Sequence, residues 1–155
     1  FIVDRRPQNH TERRLGWARL PHGILMCRIR LPPGKDLRGS GDDLSNYFYN
    51  LKSPKDWHVR TCLGRVFSGA AASELGGDPL RRYHLCLTVW PMGDHNAVCV
   101  AQRRYQRILQ AHGGLWAHEP LIYDGPFPEG DTMQGVYIDD LLVLGILWIP
   151  RMWGT

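Results

Sequence analysis

Apolar and polar positions change rhythm several times along the 155 residues, and each rhythm predicts an element. Tyr83, Leu85, Leu87 and Val89 alternate with His84, Cys86 and Thr88, the period of a half-buried strand. Trp90 to Asn96 follows as a tight turn. Val98, Ala101, Tyr105, Ile108 and His112 recur at helical spacing, which predicts a helix from about Ala97 to His112, capped by Asp94 or Asn96 and ended by Gly113. Leu44, Tyr47, Phe48 and Leu51 fall at i, i+3, i+4 and i+7, one face of a shorter helix with Asp42 or Asp43 at its N-cap. Ser53 and Pro54 open another helix, with Trp57, Val59, Leu63, Val66 and Phe67 as its apolar contacts. Ile24 to Leu31 reads as a strand closed by Pro32, Pro33 and Gly34, and Leu37 to Gly41 as a Gly/Ser connector. Phe1 to Val3 opens a short strand that Pro7 and Asn9 turn; residues 68–80 form a loop; Leu121 to Tyr123 is a short strand.

The chain is organised around Gly135 to Leu144. Two apolar runs, Val136-Tyr137-Ile138 and Leu141 to Leu144, flank the adjacent carboxylates of Asp139 and Asp140. The pattern predicts a β-hairpin with both acids at its tip. Two negative charges held side by side repel, and a divalent cation is the usual remedy. Taken alone, the segment is equally an ordinary Asp-containing turn.

Composition is that of a globular chain with a real core. No signal peptide is visible, and the longest apolar run, Leu141 to Ile149, is too short for a membrane span of about 20 residues. A start at Phe1 leads to the expectation of an excised fragment. Cys27, Cys62, Cys86 and Cys99 are widely spaced, predicting buried free thiols in a reducing, intracellular compartment, cytoplasmic or nuclear, and neither a zinc site nor a disulfide framework. Charge is uneven. Residues 1–70 carry 13 Lys/Arg against 6 Asp/Glu, a balance of +7, while residues 71–155 carry 6 against 9, a balance of −3. Sixteen of the 19 basic residues are Arg, which pairs with phosphate in a bidentate way. A basic half beside a carboxylate-bearing half suits a polyanion and metal chemistry, and also a merely solvated Arg-rich surface.

Four blocks, in order, resemble those of reverse transcriptases. Tyr137-Ile138-Asp139-Asp140 matches the Y-x-D-D signature. Val3-Asp4 with Arg6 and Asn9 resembles a fingers segment. Asp43, followed by Leu44 and five positions on by Phe48, resembles motif A, where a catalytic Asp precedes an aromatic that screens the sugar 2′ position. Pro91, Gly93 and Gln102 resemble motif B, with Met92 in place of the usual Gln. Tyr47 is bulkier than the family's common Ala, and basic residues that the family places before the first block would precede Phe1. Asp43 and Asp139 are 96 positions apart, a separation typical of the family's palm.

The resemblance implies an α+β fold, a palm-like antiparallel sheet with helices on one face and partial fingers. It implies one partial domain over 1–155, about 1–35 fingers-like and about 36–149 palm-like, without a thumb; the tail from residue 145 on matches nothing. It implies an RNA-directed DNA polymerase of a retroelement, with two Mg²⁺ ions, or Mn²⁺, held by Asp43, Asp139, Asp140 and the Leu44 carbonyl. Arg6, Asn46, Tyr47, Phe48, Met92 and Gly93 would contact the dNTP. Arg5, Pro91 and Tyr137 would contact an RNA or DNA template and its primer; no membrane is implied. The second reading is a non-catalytic nucleic-acid-binding remnant; the third is a metal-dependent nuclease, a class that needs no motif B turn.

Overall fold

The computed structural model describes residues 4–149. The expected strand over Phe1 to Val3 and the tail beyond Ile149 lie outside the described residues. The fold is α+β, with small antiparallel sheets and a few helices. It forms two compact units. The first takes the segment up to Arg14 and Asn46–Ala97; the second takes Leu15–Ser45 and the chain from Val98 on. Both units therefore draw chain from either side of residue 35, where the resemblance divides fingers from palm.

The second unit is built on a three-stranded antiparallel sheet in the order β1 (Lys35–Asp43), β5 (Asp140–Trp148), β4 (Thr132–Tyr137). β5 is apolar over most of its length and lies in the middle, hydrogen-bonded on both edges. The expected Gly/Ser connector at 37–41 is a correction: it is the heart of β1. Gly39 and Ser40 are poor strand formers, but β5 offers a full ladder, and nine residue pairs form from Lys35↔Trp148 to Asp43↔Asp140. A Cβ on Gly39 would lie 3.2 Å from Leu144 Cδ2, so its bareness leaves room for the opposing leucine.

Leu25, Leu121, Met133 and Leu144 form the core of this unit, with Met26, Ile29, Leu37 and Ile146 packed against them. The strand expected over Ile24 to Leu31 is also corrected. Gly23–Arg28 is a 3-10 helix whose first free amide, Ile24 N–H, donates to His22 Nδ1 at 3.2 Å. Unpaired with any strand among the described residues, the segment buries Leu25 and half-buries Met26 and Ile29, a helical rather than an alternating set.

Helix α4, which follows the short helices α1 (Arg6–Thr11), α2 (Tyr47–Asn50) and α3 (Gly69–Ala72), spans Ala97–Ala111, as its apolar period predicts. It ends in a Schellman motif: Gly114 N–H donates to Leu109 O at 2.7 Å and Gly113 N–H to Gln110 O at 3.3 Å, with Gly113 at φ +71°. Its buried face is Ala97, Ala101, Gln102 and Tyr105, whereas the expected Ile108 and His112 are exposed. No helix among the described residues is long and apolar enough to cross a membrane.

The first unit pairs β2 (Cys62–Ser68) with β3 (Arg82–Cys86), so the expected strand at Tyr83 forms in part. The helix expected after Ser53 is a 3-10 helix over Lys55–Thr61 that gives way to β2. The expected loop at 68–80 contains two short helical turns, Gly69–Ala72 and Ser73–Leu75. The helix expected from Leu44 is one turn, Tyr47–Asn50, whose N-cap is Asn46 in the left-handed region rather than an Asp. Of the four thiols, all free, only Cys99 is buried as expected; Cys27 is exposed, and Cys62 and Cys86 are half-buried.

A buried charge cluster ties the first unit together. The Arg5 guanidinium, 3 % exposed, lies 2.9 Å from Glu12 Oε1 and 3.2 Å from Asp94 Oδ2. It also donates to the Arg60 carbonyl, and Trp57 Nε1 donates to Asp94 at 3.4 Å. Removing the cation alone would strand two acids in a desolvated site. Arg5→Met is therefore expected to cost about 3–5 kcal/mol, read as a lower urea midpoint at an unchanged m-value; a loss below about 1 kcal/mol would show the cluster is not structural.

Candidate functional site

Three carboxylates converge at one end of the three-stranded sheet. Asp43 is the last residue of β1, Asp140 the first of β5, and they face each other in register. Asp139 belongs to the two-residue connection between β4 and β5, whose ends close as the pair Tyr137↔Asp140. One oxygen from each of Asp43, Asp139 and Asp140 lies within 4.8 Å of the other two. The hairpin forms as the sequence predicts, with its two-residue tip at Ile138-Asp139, one position earlier than expected, so that Asp140 opens β5, and the 95 intervening residues bring Asp43 to it. Leu44 joins the site through its amide, which donates to the Asp139 carbonyl at 3.0 Å and laces the end of β1 to the tip.

The tip is strained. Ile138 has φ +61°, the only β-branched residue among the described residues in the left-handed region. A two-residue hairpin loop with positive φ at its first position ordinarily holds glycine there. The conformation is held by Gln102 of α4, whose side chain is 1 % exposed. Its Oε1 accepts from Ile138 N–H at 2.7 Å, and its Nε2 donates to Val136 O at 2.6 Å. One buried amide thus clamps both sides of the turn, and it fixes where the two adjacent carboxylates stand. In the sequence Gln102 marked only a motif position. A glutamine beside the apolar stripe of a helix carries no signal for this clamp, because its partners lie more than 30 positions away.

Tyr105, one turn along α4, is buried, and burial raises its phenol pKa first, with the negative charges of Asp42 and Asp140 adding to the effect. The phenol stays neutral beside the acids. A cleft of about 580 Å³ opens next to the carboxylates, lined by Asp42, Asp43 and Asp140 together with apolar groups such as Pro21, Met26 and Leu142. Its size is that of a small-ligand site. Tyr137 lines the same cleft.

The remaining predicted site residues belong to the first unit. Arg5 turns inward to the ion cluster, so the template contact expected of it gives way to a structural role. Arg6 is exposed and paired with Asp4 at 2.8 Å, and its hydrogen bonds hold the Asp4 carboxyl down at about 2. Tyr47 and Phe48 are core, their rings 6.4 Å apart edge to face, with Phe48 only 9 % exposed; the sugar-screening role expected of Phe48 is at odds with that burial, which follows from the apolar period that predicted the helix. Asn46 is exposed at φ +56°. Pro91 is buried, Met92 half-buried and Gly93 exposed at φ +98°. Asn9 braces that turn, donating to Gly93 O at 2.8 Å and accepting from His95 N–H at 3.2 Å, so two blocks far apart in sequence meet.

Gln102→Leu keeps the side chain's bulk but leaves the Ile138 amide and the Val136 carbonyl without a partner. The expected loss is about 2–4 kcal/mol, at roughly 1–3 per stranded group. Amide exchange at Ile138 should accelerate before exchange in the middle of β5 does. An Ile138 amide equally protected with and without the glutamine would show that the turn holds itself. Among known proteins, no family model matches this chain, and no curated protein matches it.

Proposed function

We propose that this chain is a palm-like core of an RNA-directed DNA polymerase of the reverse-transcriptase kind, which extends a primer 3′-hydroxyl with dNTPs on a nucleic-acid template. The observation that carries the reading is the convergence of Asp43 with Asp139 and Asp140, whose oxygens lie within 4.8 Å of one another although the first two are 96 positions apart. The donor set fits the ions: three carboxylates are the hard oxygen ligands that Mg²⁺ and Mn²⁺ take.

Two bound Mg²⁺ ions would acidify the primer hydroxyl and neutralise the triphosphate. The protein's share is to hold the acids without reorganisation. The Asp43↔Asp140 register, the Leu44 amide on Asp139 and the Gln102 clamp each remove a freedom that the carboxylates would otherwise lose on binding. The cleft beside Asp43 and Asp140, walled by Met26 and Leu142, has room for a nucleotide-sized group. The +7 balance of the first seventy residues favours a polyanionic partner.

A second reading, a non-catalytic nucleic-acid-binding remnant, is favoured by two observations. Arg5 is committed to Glu12 and Asp94, and Phe48 is committed to the core.

Asp139→Asn separates the two. The substitution keeps shape and removes one charge of a repelling cluster, so the metal-free protein should be as stable as the wild type or slightly more so. Mn²⁺ binding, followed by the paramagnetic resonance of the free ion, should weaken tenfold or more. Primer extension with Mg²⁺ should be lost while template–primer binding at low salt stays, since Lys and Arg carry that affinity. Unaltered Mn²⁺ binding would remove the triad as the metal site. Metal binding without extension by the wild type would leave the remnant reading standing.

A further inference from the structure

Cys62 and Cys86 stand directly opposite each other where β2 begins and β3 ends. Their sulfurs are 2.7 Å apart. Residues paired across antiparallel strands have Cα atoms about 4.5 or 5.5 Å apart, and either spacing falls within the range that a disulfide spans. The sulfur separation stands close to the bond length of about 2.05 Å.

The surroundings keep the sulfurs apposed. Thr61 Oγ1 donates to Leu87 O at 2.7 Å, and Leu87 N–H donates to Thr61 O at 3.2 Å, so the chain next to each cysteine is tied to the chain next to the other. On the other side the ladder breaks. Pairing shifts between Cys62 and Val66, and it resumes at Val66↔His84. The cysteine pair is thus the last rung before an irregularity, the place where a covalent link constrains most.

We propose that Cys62 and Cys86 are a reversible redox site that a low-molecular-weight disulfide oxidises to an intramolecular disulfide, pinning the irregular end of the β2–β3 ladder. The Cys62 thiolate attacks one sulfur of the small disulfide and expels one thiolate, giving a mixed disulfide on Cys62. The Cys86 sulfur, once deprotonated, then attacks Cys62 and expels the second thiolate. One disulfide bond is consumed and one formed, and the two protein protons end on the two small thiols. Cys86 is the later nucleophile because burial, followed by the contact with Cys62, pushes its thiol up to about 11. Cys99 takes no part, since it is buried with its thiol directed at the Gly16 carbonyl, 2.8 Å away, and the exposed Cys27 takes up glutathione only as a mixed disulfide.

The test equilibrates the purified chain with mixtures of reduced and oxidised glutathione, quenches with acid, alkylates free thiols with a maleimide polymer and maps the linked peptides. A single intramolecular cross-link should join Cys62 to Cys86 in a monomer, any modification of Cys27 should be a glutathione adduct, and dithiothreitol should restore all four thiols. Oxidation should raise the melting temperature by roughly 5–10 °C, as expected for a loop of this length. Cys86→Ser should trap Cys62 as a glutathione mixed disulfide, and Cys27→Ser should leave the link intact. Four alkylatable thiols at every glutathione ratio would overturn the proposal. So would cross-links that route Cys62 to Cys27 or Cys99, or a Cys62–Cys86 link that leaves the melting temperature unchanged.

Discussion

The pairing of β1 with β5 is the interaction on which the second unit depends. It runs for nine residue pairs and uses a strand partner whose own sequence, Lys35-Asp36-Leu37-Arg38-Gly39-Ser40-Gly41-Asp42-Asp43, has little reason to be extended. β5 supplies the reason. It is long and apolar, already paired on its other edge to β4, and it leaves a row of backbone donors and acceptors that must be met. Once β1 meets them, its last residue is forced opposite the first residue of β5. A one-residue slip would turn Asp43 to the other face. The acidic cluster is therefore a consequence of register.

That register is costly locally. Like charges directly opposite each other across strands destabilise a sheet, and here Asp43 faces Asp140 while Asp139 adds a third carboxylate. Ile138 adds backbone strain at the turn. The buried amide of Gln102 offsets part of this by satisfying two backbone groups at once. Strain and repulsion gathered at one point, held by a clamp from a helix, is the pattern of a site kept in a geometry that stability alone would not select.

The first unit solves a different problem. Its apolar core is small, and a desolvated Arg5 with Glu12 and Asp94 takes the place that further aliphatic packing would fill. Such a cluster is a weak source of net stability but a strict one, since losing one member leaves the others uncompensated. The same cluster fixes the first segment of the chain, α1 at Arg6–Thr11, and places Asn9 where it braces the turn at Gly93.

Local signals sufficed where the structure is local. The hairpin around Asp139 and Asp140, helix α4 with its Gly113 stop and the first half of the strand expected at Tyr83 to Val89 were legible because turn chemistry, helical period and strand period are written in neighbouring residues. Gly39 to Gly41 reads as a connector by composition and becomes a strand only because β5 is beside it. Ile24 to Leu31 reads as a strand by composition, yet Gly23–Arg28 is a 3-10 helix, because no strand among the described residues pairs with it. Whether Arg5 faces nucleic acid or a buried pair of acids, and whether Phe48 faces a nucleotide or the core, depends on partners that sequence spacing does not name. The chain by itself determined which residues can carry charge to a turn. The distance between Asp43 and the tip, and the glutamine that holds the tip in place, were decided by tertiary pairing, because both are set by hydrogen bonds between segments far apart in the chain.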